Sequence, residues 1–323
     1  MVQTYTCKIY QIDGRLLEWL CHQQIGEQIG VVHSVFDKVV NFITNDSKLL
    51  FSLAKNEVIQ SPGMMKTFEN DLFSEMCATI KLTKPIYLVS YCVLKINHWQ
   101  WDFSHAVVWN RGLKPFSQTK QELHYANLWQ LNDFILTNGA TGGIYPAWKR
   151  FTYPNWEVPA ATRKSIYFIP FLEGFAQLDK EFKTNRLEQF FYKFAGLGIG
   201  LTPSGDDFLT GLLATWQYFE APQYKKVERC CDKWLQNLKE RTTTVSYFML
   251  KQCLEGQVNE TLLDVLENLD KKPIAYLQRV IEIGSTSGTD MLTGISVAYQ
   301  QLLDNKEEKH HGIKSNDRKE HLS

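Results

Sequence analysis

The phrase Ser204-Gly205-Asp206-Asp207-Phe208-Leu209-Thr210-Gly211 returns 83 residues later as Ser287-Gly288-Thr289-Asp290-Met291-Leu292-Thr293-Gly294. Six of the eight positions are identical, and a seventh exchanges one large apolar residue for another. Each copy has a glycine-rich approach, a hydroxyl residue three positions ahead of a carboxylate, and then an apolar run with helical spacing. A chain carrying both phrases is constrained to form two similar helix starts. The simplest physical account is that both N-termini face one site.

Ser-x-x-Asp ahead of apolar residues is also a capping box. On that reading Ser204 and Ser287 accept from first-turn N–H groups, and Asp207 and Asp290 reach back to the cap while sitting at the positive end of the helix dipole. Capping leaves Asp206 and the glycines unexplained. A glycine inside a helix costs roughly 0.5–1 kcal/mol relative to alanine, so Gly211 and Gly294 point to close approach of another helix or a ligand.

The first copy sits in a longer string, Ala195-Gly196-Leu197-Gly198-Ile199-Gly200-Leu201-Thr202-Pro203-Ser204-Gly205-Asp206-Asp207. Such a loop lets the backbone approach a ligand closely, and feeding a helix start it can hold an anion through N–H groups. It is neither a Walker A loop, which needs Gly-Lys-Ser/Thr, nor a GxGxxG turn.

Gly200-Leu201-Thr202-Pro203-Ser204-Gly205-Asp206-Asp207-Phe208-Leu209, the Thr243-Thr244-Val245-Ser246 element and the later Ser287-Gly288-x-Asp290 phrase together resemble the AllH-type subunit of oxamate carbamoyltransferase. The resemblance covers most of the chain, with its sharp motifs between residues 195 and 294. It implies a place in a three-component system of anaerobic allantoin and purine breakdown, beside an FdrA-like, acyl-CoA-synthetase-related subunit and a third subunit. The implied reaction interconverts oxalurate plus phosphate with oxamate plus carbamoyl phosphate. The Ser-Thr-Arg-Thr-Arg phosphate loop of the aspartate and ornithine carbamoyltransferases is absent, since Ser285-Thr286-Ser287-Gly288-Thr289 lacks both arginines.

Two roles suit the paired helix starts. In one, backbone N–H groups after Gly200 and Gly288 hold phosphate or the substrate carboxylate, with Thr202, Ser204, Gly205, Thr243, Ser246, Ser287 and Thr289 lining the anion site. Asp206, Asp207 and Asp290 then orient or deprotonate the amide nitrogen. In the other, the three aspartates and the Ser/Thr oxygens bind Mg²⁺, a hard cation that prefers oxygen. No other cofactor is called for. Carbamoyl transfer needs positioned donors and an orienting group, and no covalent nucleophile. Two rivals belong to other classes: a noncatalytic ligand-binding or structural subunit, and a Mg²⁺-dependent hydrolase that works alone.

Equal numbers of basic and acidic residues, 35 each, give no electrostatic argument for nucleic acid or an anionic membrane. No run approaches the roughly 18 apolar residues of a membrane span, and the first residues lack a signal-peptide pattern. Cytoplasmic localisation is the expectation. The seven cysteines form no CxxC pair, so neither a zinc site nor a disulfide framework is indicated, and most are expected to be buried apolar fillers.

The chain reads as α+β, a mostly β N-terminal module followed by a helical C-terminal domain. Residues 30–36, 49–53 and 86–94 are short β-branched or aromatic segments, extended by 102–108. Helical spacing covers 118–136, 171–195, 208–220, 225–239, 244–255, 260–266, 273–283 and 291–303. The expected organisation is a β module over 1–140, a helical domain over 160–303 with the paired starts, and a charged, disordered tail over 304–323. Residues 137–143 read as a connector after a helix, and the tryptophans clustered at 99–156 read as core.

Overall fold

The computed structural model describes residues 4–114, 123–183, 187–269 and 273–320. It divides into two compact units, residues 1–112 with 257–260, and residues 113–256 with 261–323.

The first unit is a β-barrel with short helices. Its strands are β1 (Tyr5–Asp13), β2 (Gln28–Val35), β3 (Val39–Thr44), β4 (Leu50–Lys55), β5 (Met64–Thr67), β6 (Pro85–Ser90), β7 (Val93–Ile96), β8 (Trp99–Asp102) and β9 (Val107–Trp109). The order β5-β4-β3-β2-β6-β7-β8-β1 closes on itself because β1 also pairs antiparallel with β5, Ile9 opposite Thr67 and Ile12 opposite Met65. Closure removes the open edges that a free sheet would present. β8 and β9 run parallel to successive halves of β1. Register shifts in β1, β2 and β6 bend the short strands round the barrel. Side chains alternate as the pleat demands, so Trp99 and Trp101 of β8 point into the core while Gln100 and Asp102 are less buried. Two helices add to that core: α1 (Gly14–Cys21), capped by Asp13 onto the Leu16 N–H at 2.9 Å, contributes Leu16 and Leu20. α2 (Asn70–Thr79) contributes Phe73 and Met76.

The second unit is helical: α3 (Tyr125–Asn138), α4 (Tyr145–Thr152), α5 (Ala160–Arg163), α6 (Phe168–Lys183), α7 (Leu187–Phe194), α8 (Ser204–Tyr218), α9 (Pro222–Glu228), α10 (Cys231–Leu238), α11 (Thr244–Leu254), α12 (Glu260–Glu267), α13 (Ile274–Ile281) and α14 (Ser287–Glu320). Every residue of α8 except Gln217 is buried, as befits a helix apolar all round. Phe175 and Phe194 pack on Phe208 at its start, with ring centroids 5.3 and 4.8 Å away, and this locks α6 and α7 against α8.

Several expectations need correction. The helix expected over 225–239 is two, α9 and α10, because Cys230 leaves helical geometry at φ −120°, ψ 2°. The disorder expected from Asp304 is replaced by a helix continuing to Glu320. Extending a helix that is already nucleated carries little of the cost of starting one, and residues 321–323 lie outside the described residues. Part of the helix expected over 118–136 also falls on undescribed residues, 115–122. Trp129 is 69% exposed rather than core. All seven cysteines are free thiols, but only Cys7 and Cys253 are buried, and burial pushes each up to about 12. Among the described residues no helix is long and apolar enough to cross a membrane.

Candidate functional site

The two repeated phrases begin α8 and α14, and these helices cross at their glycines. A Cβ on Gly211 would lie 2.0 Å from the Met291 carbonyl oxygen, and one on Gly294 would lie 2.2 Å from that of Phe208. Phe208 and Met291 are the same position of the two phrases, so the contact is reciprocal and the copies are related by a local pseudo-two-fold. The second glycine pair repeats the relation. A Cβ on Gly205 would meet the Phe194 carbonyl at the end of α7, and one on Gly288 the Val280 carbonyl near the end of α13, each at 1.9 Å. The repeated unit is therefore a helix, a glycine turn and a second helix.

Capping is not what Ser204 does. Ser204 is the first residue of α8, Pro203 stands at the cap, and no side chain caps the helix. The hydroxyls face across the pseudo-two-fold instead. Ser204 lies beside Asp290, and Ser287 lies beside Asp207, each close enough to favour its neighbour's ionised form. The Thr202 and Ser287 hydroxyls are linked at 3.2 Å, joining the two starts directly. Thr202 also bears on Asp207, and Thr286 on Asp290.

The three aspartates are fully buried, and their surroundings separate them. Asp206 is satisfied: it accepts from the Gly196 N–H at 2.8 Å and from the Thr242 hydroxyl, tying the glycine loop to the approach to α11. Asp290 accepts from the Ile144 N–H at 2.9 Å through Oδ1, while Oδ2 has no partner. Neither oxygen of Asp207 is matched with a hydrogen-bond partner, although the Ser287 and Thr202 hydroxyls lie beside it and favour its ionised form. Burial pushes all three carboxyls up: Asp290 to about 7, Asp206 above the usual carboxylate range, and Asp207 well above it, with Asp290 and Asp206 adding repulsion at Asp207. Desolvation outweighs the helix dipole here, and no cation is among the groups that bear on them.

Thr243 caps α11 by accepting from the Ser246 N–H at 3.1 Å, and its own hydroxyl donates to the Leu201 carbonyl. Ser246 is buried beside Asp206. These two residues therefore hold the glycine loop in place. Gly200 lies at the exposed tip of that loop with φ +98°. Among the described residues, the N–H groups of Gly198, Ile199, Gly200, Leu201 and Thr202 are paired with no acceptor. Unpaired N–H groups in a glycine loop that leads into a helix start are of the kind that holds an anion.

The segment read as a connector does more than join α3 to α4. The Ala140 N–H donates to the Thr289 hydroxyl at 2.9 Å, and Gly143, at φ +58°, lies so close that a Cβ there would be 2.4 Å from Asp290 Oδ1 and 2.8 Å from Ser204 Oγ. The segment covers the α14 start. Its glycines were the only sign of this in the sequence, and glycines serve connectors equally well. Thr242, Thr286 and Ile144 carried no signal. Among the described residues no group of three or more His, Cys, Asp and Glu side chains is arranged to hold a metal ion.

A model of the AllH family N-terminal domain matches residues 8–108, and a model of the oxamate carbamoyltransferase subunit AllH matches residues 194–299. The second match contains both helix starts and the Thr243–Ser246 cap. No solved structure matches the chain.

Proposed function

This chain belongs to the AllH family of oxamate carbamoyltransferase subunits, and from that membership we propose that its paired helix starts bind and turn over the substrate of that reaction. The substrate is oxalurate, cleaved by phosphate to oxamate and carbamoyl phosphate in allantoin breakdown. The chain works in the cytoplasm, within a hetero-complex that includes an FdrA-like subunit and a third subunit. A phosphate oxygen bonds to the ureido carbon, the bond from that carbon to the oxamate nitrogen breaks, and the proton lost by hydrogen phosphate ends on that nitrogen.

The observation that carries this reading is the pair of buried carboxyls, Asp207 and Asp290, behind two helix starts, with three of their four oxygens unpartnered. A carboxyl that stays protonated near neutral pH is able to give a proton to a departing nitrogen, and its neighbour is able to take one. The N–H groups of the Gly198–Thr202 loop and the positive ends of α8 and α14 suit the anionic reactants. Asp206 acts as a structural clamp. No metal is needed for any of these steps.

The test is phosphate-dependent formation of carbamoyl phosphate from oxalurate, by the chain alone and with its two partners. Turnover in the mixture that disappears with Asp207→Asn supports the reading. An intact complex that forms no carbamoyl phosphate overturns it.

A further inference from the structure

The two halves of the pseudo-symmetric site are covered differently. At the Asp290 half the Gly139–Ile144 segment supplies an N–H to the carboxyl and closes over Ser204, which is only 4% exposed. At the Asp207 half no backbone donor arrives. Asp207 is buried and unpartnered, and the groups in front of it are the partly exposed hydroxyls of Thr202 and Ser287, 3.2 Å apart. Thr202 also ends the Gly198–Thr202 loop, whose N–H groups have no acceptor among the described residues. A buried carboxyl with no partner is unfavourable unless something meets it, and the two hydroxyls that lie beside Asp207 are both partly exposed.

We propose that the Thr202–Ser287 hydroxyl pair is a proton relay between the buried Asp207 carboxyl and the nitrogen of a ligand held on the Gly198–Thr202 loop. The proposal rests on the functional reading above and makes the Asp207 half the reactive one. Ser287 gives its hydrogen to the nitrogen as the carbon–nitrogen bond breaks, and in the same motion takes the hydrogen of the Asp207 carboxyl. The proton released by hydrogen phosphate as its oxygen bonds to carbon returns to Asp207 through Thr202. Each hydroxyl ends as it began, and one proton has moved from phosphate to nitrogen. The relayed group is a carboxamide or ureido nitrogen, since only a poor leaving group requires a proton at bond breaking.

The charged groups bearing on Asp207 are Asp206 on its own helix and Asp290 on α14. On the other packed helices, Lys193 of α7 donates to Gln177, and Lys251 of α11 lies 4.0 Å from Glu255. Arg241 donates to the Tyr192 carbonyl at 2.8 Å. A pH effect at Asp207 therefore reports on the carboxyl cluster.

Two measurements test the relay. In the reconstituted complex with oxalurate and phosphate, Ser287→Ala is expected to lower kcat on the order of 100-fold with little change in KM. It is also expected to lose the alkaline limb of the pH–rate profile, and Ser287→Thr to restore most of the rate. Ser204→Ala is expected to lose less and to keep that limb. Retention of both rate and pH limb in Ser287→Ala overturns the relay while leaving the functional reading standing. The second measurement needs no turnover. In the purified chain, the infrared band of the protonated Asp207 carboxyl, assigned by its absence in Asp207→Asn, is followed on transfer to D₂O. Exchange slowed at least about tenfold by Ser287→Ala, with unchanged thermal stability, supports the relay; equal exchange overturns it.

Discussion

The starts of α8 and α14 share a phrase and a backbone geometry, and both carboxyls are buried, yet a backbone donor reaches Asp290 and none reaches Asp207. Around Asp290 the Gly139–Ile144 segment supplies a backbone donor and a lid of glycine; around Asp207 only two hydroxyls intervene. Identical sequence fixes how a helix begins and how two helices cross. What lies in front of each start is decided elsewhere in the chain. The repeated phrase sets the scaffold, and the surroundings of the two carboxyls differ only in what the rest of the chain brings to them.

The symmetric part of the comparison predicts the largest effects. Gly211→Val and Gly294→Val each force a side chain into a backbone carbonyl of the opposite helix, so each should destabilise the fold by about 3 kcal/mol or more, measured by urea unfolding. Gly200→Ala meets no atom within 4 Å and bears only the strain of its positive φ, so it should lose about 1 kcal/mol. Equal losses at Gly211 and Gly200 would dissolve the crossing.

Next in size is the pH response of the covered carboxyl. Asp290 holds its proton up to about pH 7 in the folded chain, whereas an unfolded aspartate releases it near 4. The folded state therefore binds the extra proton across that window, and stability falls as pH rises through it. Asp290→Asn keeps an acceptor for the Ile144 N–H and removes the penalty. It should be more stable than the parent at pH 8 by on the order of 2–4 kcal/mol, and the advantage should shrink toward pH 4. An advantage independent of pH would contradict the burial argument.

Gly143→Ala should act on the cover alone. Its Cβ overlaps both Asp290 oxygens, so the segment is displaced and the Ile144 donor lost, at about 1–3 kcal/mol. Hydrogen exchange should rise at Ala140 and Ile144 and stay unchanged at Gly196. The smallest effect belongs to Asp206→Asn, about 1 kcal/mol, because the amide oxygen still accepts from Gly196 and the Thr242 hydroxyl is free to turn and accept in its place.

The sequence disclosed the scaffold better than the chemistry. The β-branched segments before residue 110 and the helical spacing beyond 160 anticipated the mostly β module and the helices. Gly211 and Gly294 marked a close approach, and a close approach exists. Barrel closure was illegible, because the β1–β5 pairing joins segments some 55 residues apart and nothing local encodes it. The capping box misled for a related reason: Ser-x-x-Asp is a local pattern, but its hydroxyls here serve the carboxyl of the other copy. The clamp at Asp206 and the Gly139–Ile144 cover are long-range contacts of the same kind.

Asp207→Asn tests the central claim most directly, measured for stability in the chain and for carbamoyl phosphate formation in the complex. A buried, unpartnered carboxyl that exists for chemistry costs stability, so the account predicts a variant at least as stable as the parent at pH 8 and without turnover. A variant that keeps turnover, or that loses it only in proportion to lost stability, would mean that Asp207 is part of the packing and that the site lies elsewhere.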